Sequence, residues 1–238
     1  MAILDSISRL TAYYARHGFG ATLQRARVAV KRALSSSRMV VFYCDLDVRT
    51  IPPLNIPTPL RVERLKTLAE LSGDQLNEMT SFWNPKLARR NMEERFNKRA
   101  SLWLINSGEK LVGYGWTIQG QTIEPYFVPL GKLDVHLFDF HVFPQYRGRG
   151  LNPLLVNYIL RNVTAEGSSR AFIEAAEWNE AQLSSIRKTP FRRLGLVRNL
   201  TVFGRAFVRW ADKEAAQQVL KATEGKEKAL TVVRSHER

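Results

Sequence analysis

The sequence is short of cysteine, of long apolar runs and of acid. A single cysteine, Cys44, in 238 residues excludes an intrachain disulfide scaffold and a Cys-rich zinc site, and no metal is expected. The longest uninterrupted apolar run is Met39–Cys44. That is far below the ~18–20 residues a membrane span requires. No compact apolar stretch with a cleavage site follows Met1, so no secretory signal is expected. Acids number 22 against 36 Lys+Arg, a formal net charge of +14. Apolar residues make up 45%, enough to bury a core, which excludes a disordered low-complexity chain. A soluble protein of the reducing cytoplasm is expected. Its positive excess calls for an acidic partner: nucleic acid, an anionic membrane, or a phosphate-bearing cofactor.

Residues 1–38 carry seven Lys/Arg and one acid, Asp5. Ile3, Ile7, Leu10 and Tyr14 recur at helical spacing, and Leu23, Val30 and Leu34 resume it after Gly18-Phe19-Gly20. This basic amphipathic arm reads as a helix pair packed on the main domain, or as an element lying on an anionic membrane. A transit peptide is a third reading, though nothing marks a cleavage point. Co-sedimentation with acidic liposomes separates the first two readings. Equal sedimentation with and without residues 1–38 excludes the membrane. The main domain is expected over 39–210. A charge-mixed helical tail with six basic and five acidic residues follows over 211–238.

Within the main domain, strands are expected at Met39–Cys44 and Leu60–Leu65, on either side of a stretch with four prolines at 51–59. Helices follow at Leu68–Phe82 and Pro85–Lys98. A hairpin joins Ser101–Ile105 to Leu111–Ile118 through Asn106-Ser-Gly-Glu-Lys110. Then come a strand at Leu133–Phe143, a loop from Pro144 to Gly150 and a helix at Leu151–Asn162. A strand at Ala171–Ala176, a helix at Glu180–Thr189 and one or two strands within Leu194–Val208 complete the domain. Strands alternating with helices imply an α/β or α+β domain with a mixed central sheet flanked by helices.

The chemically informative segment is Val142-Phe-Pro-Gln-Tyr-Arg147-Gly148-Arg149-Gly150-Leu151-Asn152-Pro153. A strand runs into a Gly/Arg loop and a helix begins directly after it. Glycines let the backbone approach a ligand closely, successive amides then point at one place, and the helix N-terminus adds positive potential. A diphosphate suits such a loop. Asn152 reads as the N-cap, with Pro153 at the first helical position. The spacing is neither that of a P-loop nor that of a dinucleotide fingerprint. It resembles motif A of the GNAT acetyltransferase superfamily, Q/R-x-x-G-x-G/A after a V-x-P strand end, with Asn152 where Gly or Ala is usual. Downstream, Asn179 and Phe191 match the family's pattern at offsets where Gln182 and Pro190 depart from it.

The resemblance implies a GNAT-like acyl-CoA N-acyltransferase fold, with acetyl-CoA as cosubstrate and direct acyl transfer to an amine of a small molecule, amino sugar or protein. It implies that the strands at 133–143 and 171–176 splay apart around pantetheine. Backbone groups of His141, Val142 and Phe143 would pair with that arm. The loop Arg147, Gly148, Arg149, Gly150, Leu151 and Asn152 would hold the pyrophosphate, with Asn179 nearby. His136 occupies the position of a catalytic glutamate found in some members, and Glu174 and Glu177 are further candidates for the base. Strict alternation puts Asp139 and His141 on the face opposite His136. Asp139 is expected to pair with an arginine such as Arg147. Ile186 stands where many members carry an acidic tyrosine, which leaves Tyr126 and Tyr146 as substitutes if the fold brings one near. Seven Lys/Arg and no acid between 181 and 211 suit the outer face of a hairpin, and a nucleic-acid partner is not expected. Two further readings stay open: a non-catalytic basic module on the same fold, and acyl transfer from an acyl carrier protein. Membrane contact through residues 1–38 and homodimerisation also stay open.

Overall fold

A computed structural model describes residues 38–47, 49, 51, 55–80, 85–123, 126–202, 205–212, 214 and 217, and at 199–202 and 205–207 the backbone only. The amphipathic arm and nearly all of the charged tail lie outside the described residues. Eight strands form one sheet: β1 (Arg38–Asp45), β2 (Leu60–Leu65), β3 (Ser101–Ser107), β4 (Lys110–Gln119), β5 (Asp134–Val142), β6 (Arg170–Ala176), β7 (Arg192–Val202) and β8 (Arg205–Trp210). Their order is β2-β3-β4-β5-β6-β1-β7-β8. All neighbours are antiparallel except β5 and β6. That parallel pair requires a crossover, and helix α3 (Leu151–Ala165) provides it. Helices α1 (Gly73–Thr80), α2 (Pro85–Asn97) and α4 (Glu180–Ile186) complete the described elements.

Side-chain alternation along the strands divides the core between two faces. On one face Leu155, Ile159, Leu160 and Val163 of α3 pack on Phe42, Ile105, Leu137 and Ile173. On the other, Met79 of α1 and Met92 of α2 cover Leu102, Leu104 and Trp116. Farther along that second face, Val128 and the partly buried Tyr126 cover Val41 and Phe172.

The expected single helix over Leu68–Phe82 is instead a 3-10 turn at Leu68–Glu70 followed by α1. Ser72 causes the break. Its hydroxyl accepts from the Gln75 amide, while Gln75 Oε1 accepts from the Ser72 amide. This reciprocal capping box starts a new helix. The last helix ends at Ile186, shorter than the expected Glu180–Thr189, and the Thr189 hydroxyl then donates to the Ile186 carbonyl.

Two irregularities shape the centre of the sheet. The first is the parting of β5 and β6. They pair only where Asp134–Leu137 faces Arg170–Ile173, and beyond that both strands continue unpaired with each other. At the closed end the fully buried Asp134 carboxylate takes two hydrogen bonds from Arg170, at 2.7 and 2.8 Å, and a third from the Gly131 amide. The second is a bulge. Trp116 pairs with Phe138 but Tyr114 with His141, so Gly115 alone faces Asp139 and Phe140. Asp139 has φ 51°, in the left-handed region. A Cβ on Gly115 would lie 2.4 Å from the Phe140 ring, so only glycine admits that ring here.

Candidate active site

The bulge overturns the simple alternation along β5. One extra residue reverses parity, so His136, Phe138 and His141 share one face and Leu137, Phe140 and Val142 the other. The rings record this: His136 stacks on Phe138 at 5.2 Å, and His141 stacks on Tyr114, itself in the α1/α2 core. Asp139 does not reach Arg147. It pairs with Arg95 of α2 instead.

Where β5 and β6 part, a cleft of about 540 Å³ opens between the loop at 147–150, the start of α3, and α4. His141, Val142, Arg147, Gly148, Gly150, Leu151, Asn152 and Asn179 line it, as the sequence pattern anticipates. Phe143 and Arg149 do not. Phe143 is wholly buried, its amide donates to the Val112 carbonyl and its carbonyl accepts from the Tyr146 amide, so it belongs to the core and the β4 ladder. The Arg149 guanidinium turns back over the Tyr146 ring and donates to the Gln145 carbonyl.

Helix α3 begins two residues earlier than an Asn152 cap would place it. Its N-cap is Gly150, at φ 73° and with no side chain to cap the helix. That left-handed conformation suits glycine. The backbone amides of Gly148, Arg149, Gly150, Leu151 and Asn152 find no acceptor among the described residues, and Pro153 has none to place. Uncapped amides at a helix start form an anion site, here flanked by the exposed Arg147. Asn152 lies inside the helix, where its side-chain amide donates to the Ser185 hydroxyl of α4 at 2.9 Å and ties the two walls together. Val142, whose neighbour Phe143 bonds to β4, turns its own carbonyl to the opposite edge. That carbonyl accepts from Arg147 Nε at 2.9 Å, so the arginine side chain holds a group that the resemblance assigns to pantetheine.

The other wall is built by a side-chain cap on α4. Asn179 caps α4 by accepting from the Gln182 amide, and its own amide donates to Gln182 Oε1. Gln182 also donates to the Glu174 carbonyl at 3.2 Å. The larger side chain at this departure from the family pattern thus fastens α4 to the end of β6. Ala181, Ser184, Ser185 and Lys188 face the cleft. Lys188 went unrecognised in the sequence, although the small and polar stripe 181, 184, 185, 188 at helical spacing marks that face. Ile186 is core, so the position of the family's usual tyrosine does not open to the cleft. Tyr146 lines it.

At the root of the parting, His136 and Glu174 meet: Nε2 lies 2.8 Å from Glu174 Oε2. Both are largely buried, with side-chain exposures of 7% and 18%. His136 Nδ1 is buried without a hydrogen-bond partner among the described residues. A carboxylate on Nε2 favours the tautomer with its proton there, which leaves the Nδ1 lone pair available as a base. The Tyr126 ring centroid is 4.4 Å from that of His136. Burial first, and the Glu174 carboxylate second, push the Tyr126 hydroxyl well above its ordinary value, so it stays protonated. Glu177 is not part of this group, since it pairs with Arg38 at 2.8 Å. Burial pushes the Cys44 thiol up to about 11, which leaves it inert.

His141 gives this region a pH dependence. Burial, then the Arg147 charge, hold its pKa below the ordinary 6.5. The unfolded chain therefore takes up a proton before the folded protein does. Stability is complete above about pH 6.5 and is lost as pH falls through the lowered value. The melting temperature is expected to fall less between about pH 7 and 5 in His141→Gln than in the wild type.

The family model for the acetyltransferase (GNAT) family matches residues 68–187, a span that holds the bulge, the cleft and the His136–Glu174 pair. The chain belongs to that family. Over 106 residues it is 26% identical to the mouse protein called probable N-acetyltransferase family 8 member 5, covering 44% of each chain. It thus spans less than half of that relative. Among solved structures, it is similar to a putative GNAT-family acetyltransferase of Novosphingobium aromaticivorans, with a TM-score of 0.45 and 14% identity over 67% of this chain and 61% of that one. A GNAT-family acetyltransferase of Colwellia psychrerythraea gives a TM-score of 0.48 and 10% identity over 73% and 55%. No helix among the described residues is long and apolar enough to cross a membrane.

Proposed function

We propose that this protein is an N-acyltransferase that uses acetyl-CoA and transfers the acyl group directly to a primary amine. The observation that carries the reading is the parting of β5 and β6 above a cradle of uncapped amides at Gly148–Asn152. A pyrophosphate fits that cradle: it has donors without acceptors among the described residues, a left-handed glycine at the helix start, and Arg147 and Lys188 on its walls. When bound, the cosubstrate supplies an activated acyl group whose C–S bond breaks as the C–N bond to the amine forms.

This chain's residues do the rest. The amides of 148–152 and Arg147 hold the diphosphate, and Arg147 exchanges the Val142 carbonyl for it. The edge of β5 beyond Leu137 then offers backbone groups to an extended arm. His136 Nδ1 receives the amine's proton, through water where the amine lies beyond contact, while Glu174 fixes the tautomer and stabilises the imidazolium. Cys44, inert and packed in the core of β1, supports direct transfer over an acyl-cysteine route. A panel of primary amines with acetyl-CoA, followed by release of free thiol, tests the reading. Amine-dependent release is expected. Release only from an acyl carrier protein thioester would replace the donor, and no release from either would overturn the proposal.

A further inference from the structure

On the face of the sheet away from α3, a second cavity of about 180 Å³ lies under α1 and α2. Most of its wall is apolar, with Met79, Met92, Tyr114 and Trp116 among the lining residues. Into this apolar setting the protein places an ion pair, Arg95 with Asp139. The pair differs from the other ion pairs of α2, Arg89–Glu93 and Lys98–Glu94, which lie one turn apart along the helix surface. The Arg95 side chain is 20% exposed. Its guanidinium carbon lies 5.1 Å from the Trp116 ring centroid and 5.4 Å from that of Phe138. Asp139 sits on the left-handed residue of the bulge, a conformation a non-glycine residue adopts at a cost.

This arrangement has unused binding capacity of both signs. A guanidinium carries five donors in a planar fork, and Asp139 takes the one hydrogen bond formed by the Arg95 side chain among the described residues. The Trp116 indole N–H is fully buried and has no acceptor among the described residues. The second Asp139 oxygen has no donor among the described residues. The cavity thus presents the free edge of a guanidinium fork suited to a carboxylate beside one acceptor suited to an ammonium, with methionines around them. A neighbouring cation and anion match a zwitterion laid head to tail.

We infer that this cavity receives the acyl acceptor, and that the acceptor is a zwitterion: a primary amine with a carboxylate on the adjacent carbon and an apolar substituent. The inference rests on the acyl-transfer reading for its chemistry. The carboxylate lies on the free edge of the Arg95 fork, the amine on Asp139, and the substituent between Met79 and Met92. Asp139 stands on β5 beyond its last pairing with β6, which brings the amine to the strand segment bordering the parting. Phe138 stands between this pocket and the base, its ring 5.2 Å from that of His136. The amine's proton therefore travels through water to Nδ1. The ammonium gives one proton to Nδ1 before attack and a second to solvent as the C–N bond forms, while the C–S bond breaks and the thiolate leaves with a proton from solvent. The product amide is uncharged, so it forfeits the attraction to Asp139 and is released.

L-methionine and L-methioninamide, compared as acceptors with acetyl-CoA, test this. The two share amine and side chain and differ in the carboxylate. The amide has the more readily deprotonated amine, so a preference for the acid runs against intrinsic reactivity. The wild type is expected to favour the acid by about tenfold or more in kcat/KM. The acid-to-amide ratio should drop to about one in Arg95→Met and lie between in Arg95→Lys, which keeps the charge but loses the fork. An amide used as well as the acid, or a preference that survives in Arg95→Met, overturns the inference. Absence of thiol release with both compounds counts against the acyl-transfer reading instead. The pocket is then judged by protein NMR without thioester. Shifts of the Trp116 indole resonance with millimolar L-methionine, absent with the amide and in Arg95→Met, support it, and no such shifts overturn it.

Discussion

Replacing His136 with alanine is expected to lower kcat by about 10²- to 10⁴-fold, the usual contribution of a positioned general base. The KM for acetyl-CoA should move little, because the residues that line the cofactor cleft do not include His136. Glu174→Gln makes the complementary test. It preserves the shape of the pair but not the charge that selects the Nε2–H tautomer, and an amide NH₂ turned toward Nε2 would select the opposite one. A loss in kcat is expected there too, because the tautomer that leaves Nδ1 free is no longer selected. Double replacement should be little worse than His136→Ala alone, since the two act as a unit. Unchanged kinetics in His136→Ala would remove this residue as the base.

The largest effect on stability is expected at Arg170. Its guanidinium holds the fully buried Asp134 at the closed end of the parting strands. Arg170→Met leaves a carboxylate buried with only the Gly131 amide, and such broken pairs destabilise by about 3–5 kcal/mol. For a chain of this size that lowers the melting temperature by roughly 6–20 °C. Asp134→Leu combined with Arg170→Met should recover most of the loss, because apolar replacement of both partners removes the uncompensated charge. The pair also supports the site. Asp134 anchors Gly131, and the segment just before it carries Tyr126 onto His136. Loss of less than about 1 kcal/mol in Arg170→Met would mean that water reaches Asp134 and that the closed end is not held by this pair.

The strands and the Gly/Arg loop were legible in the sequence because local chemistry determines them. Apolar runs on either side of Asn106-Ser-Gly-Glu-Lys110 gave β3 and β4, and Val142–Pro153 carried strand, turn and helix start in order. The parting of β5 from β6 was readable only through the family resemblance, since nothing in Leu137 or Ile173 says that pairing stops there. The bulge was missed because its cause is across the sheet. Gly115 on β4 admits the Phe140 ring, and Asp139 must then take a left-handed conformation. That one residue reversed the faces of Asp139 and His141 and sent Asp139 to Arg95. The Asn152 cap was misplaced for a similar reason: Gly150 can begin the helix without a side chain, which frees Asn152 to reach Ser185. His136 and Glu174 were separate candidates 38 positions apart, and their contact depends on parallel register, which no local pattern reveals.

Calorimetric titration of acetyl-CoA into the wild-type protein and into Gly150→Val tests the central claim most directly. The wild type is expected to bind saturably, with a Kd within about 1 µM to 1 mM. Gly150→Val should weaken that binding at least about tenfold, because a β-branched residue resists the left-handed conformation that aims the amides. No heat and no thermal shift with the wild type, or equal affinity in the two proteins, would contradict the assignment of the Gly148–Asn152 cradle as the cofactor site.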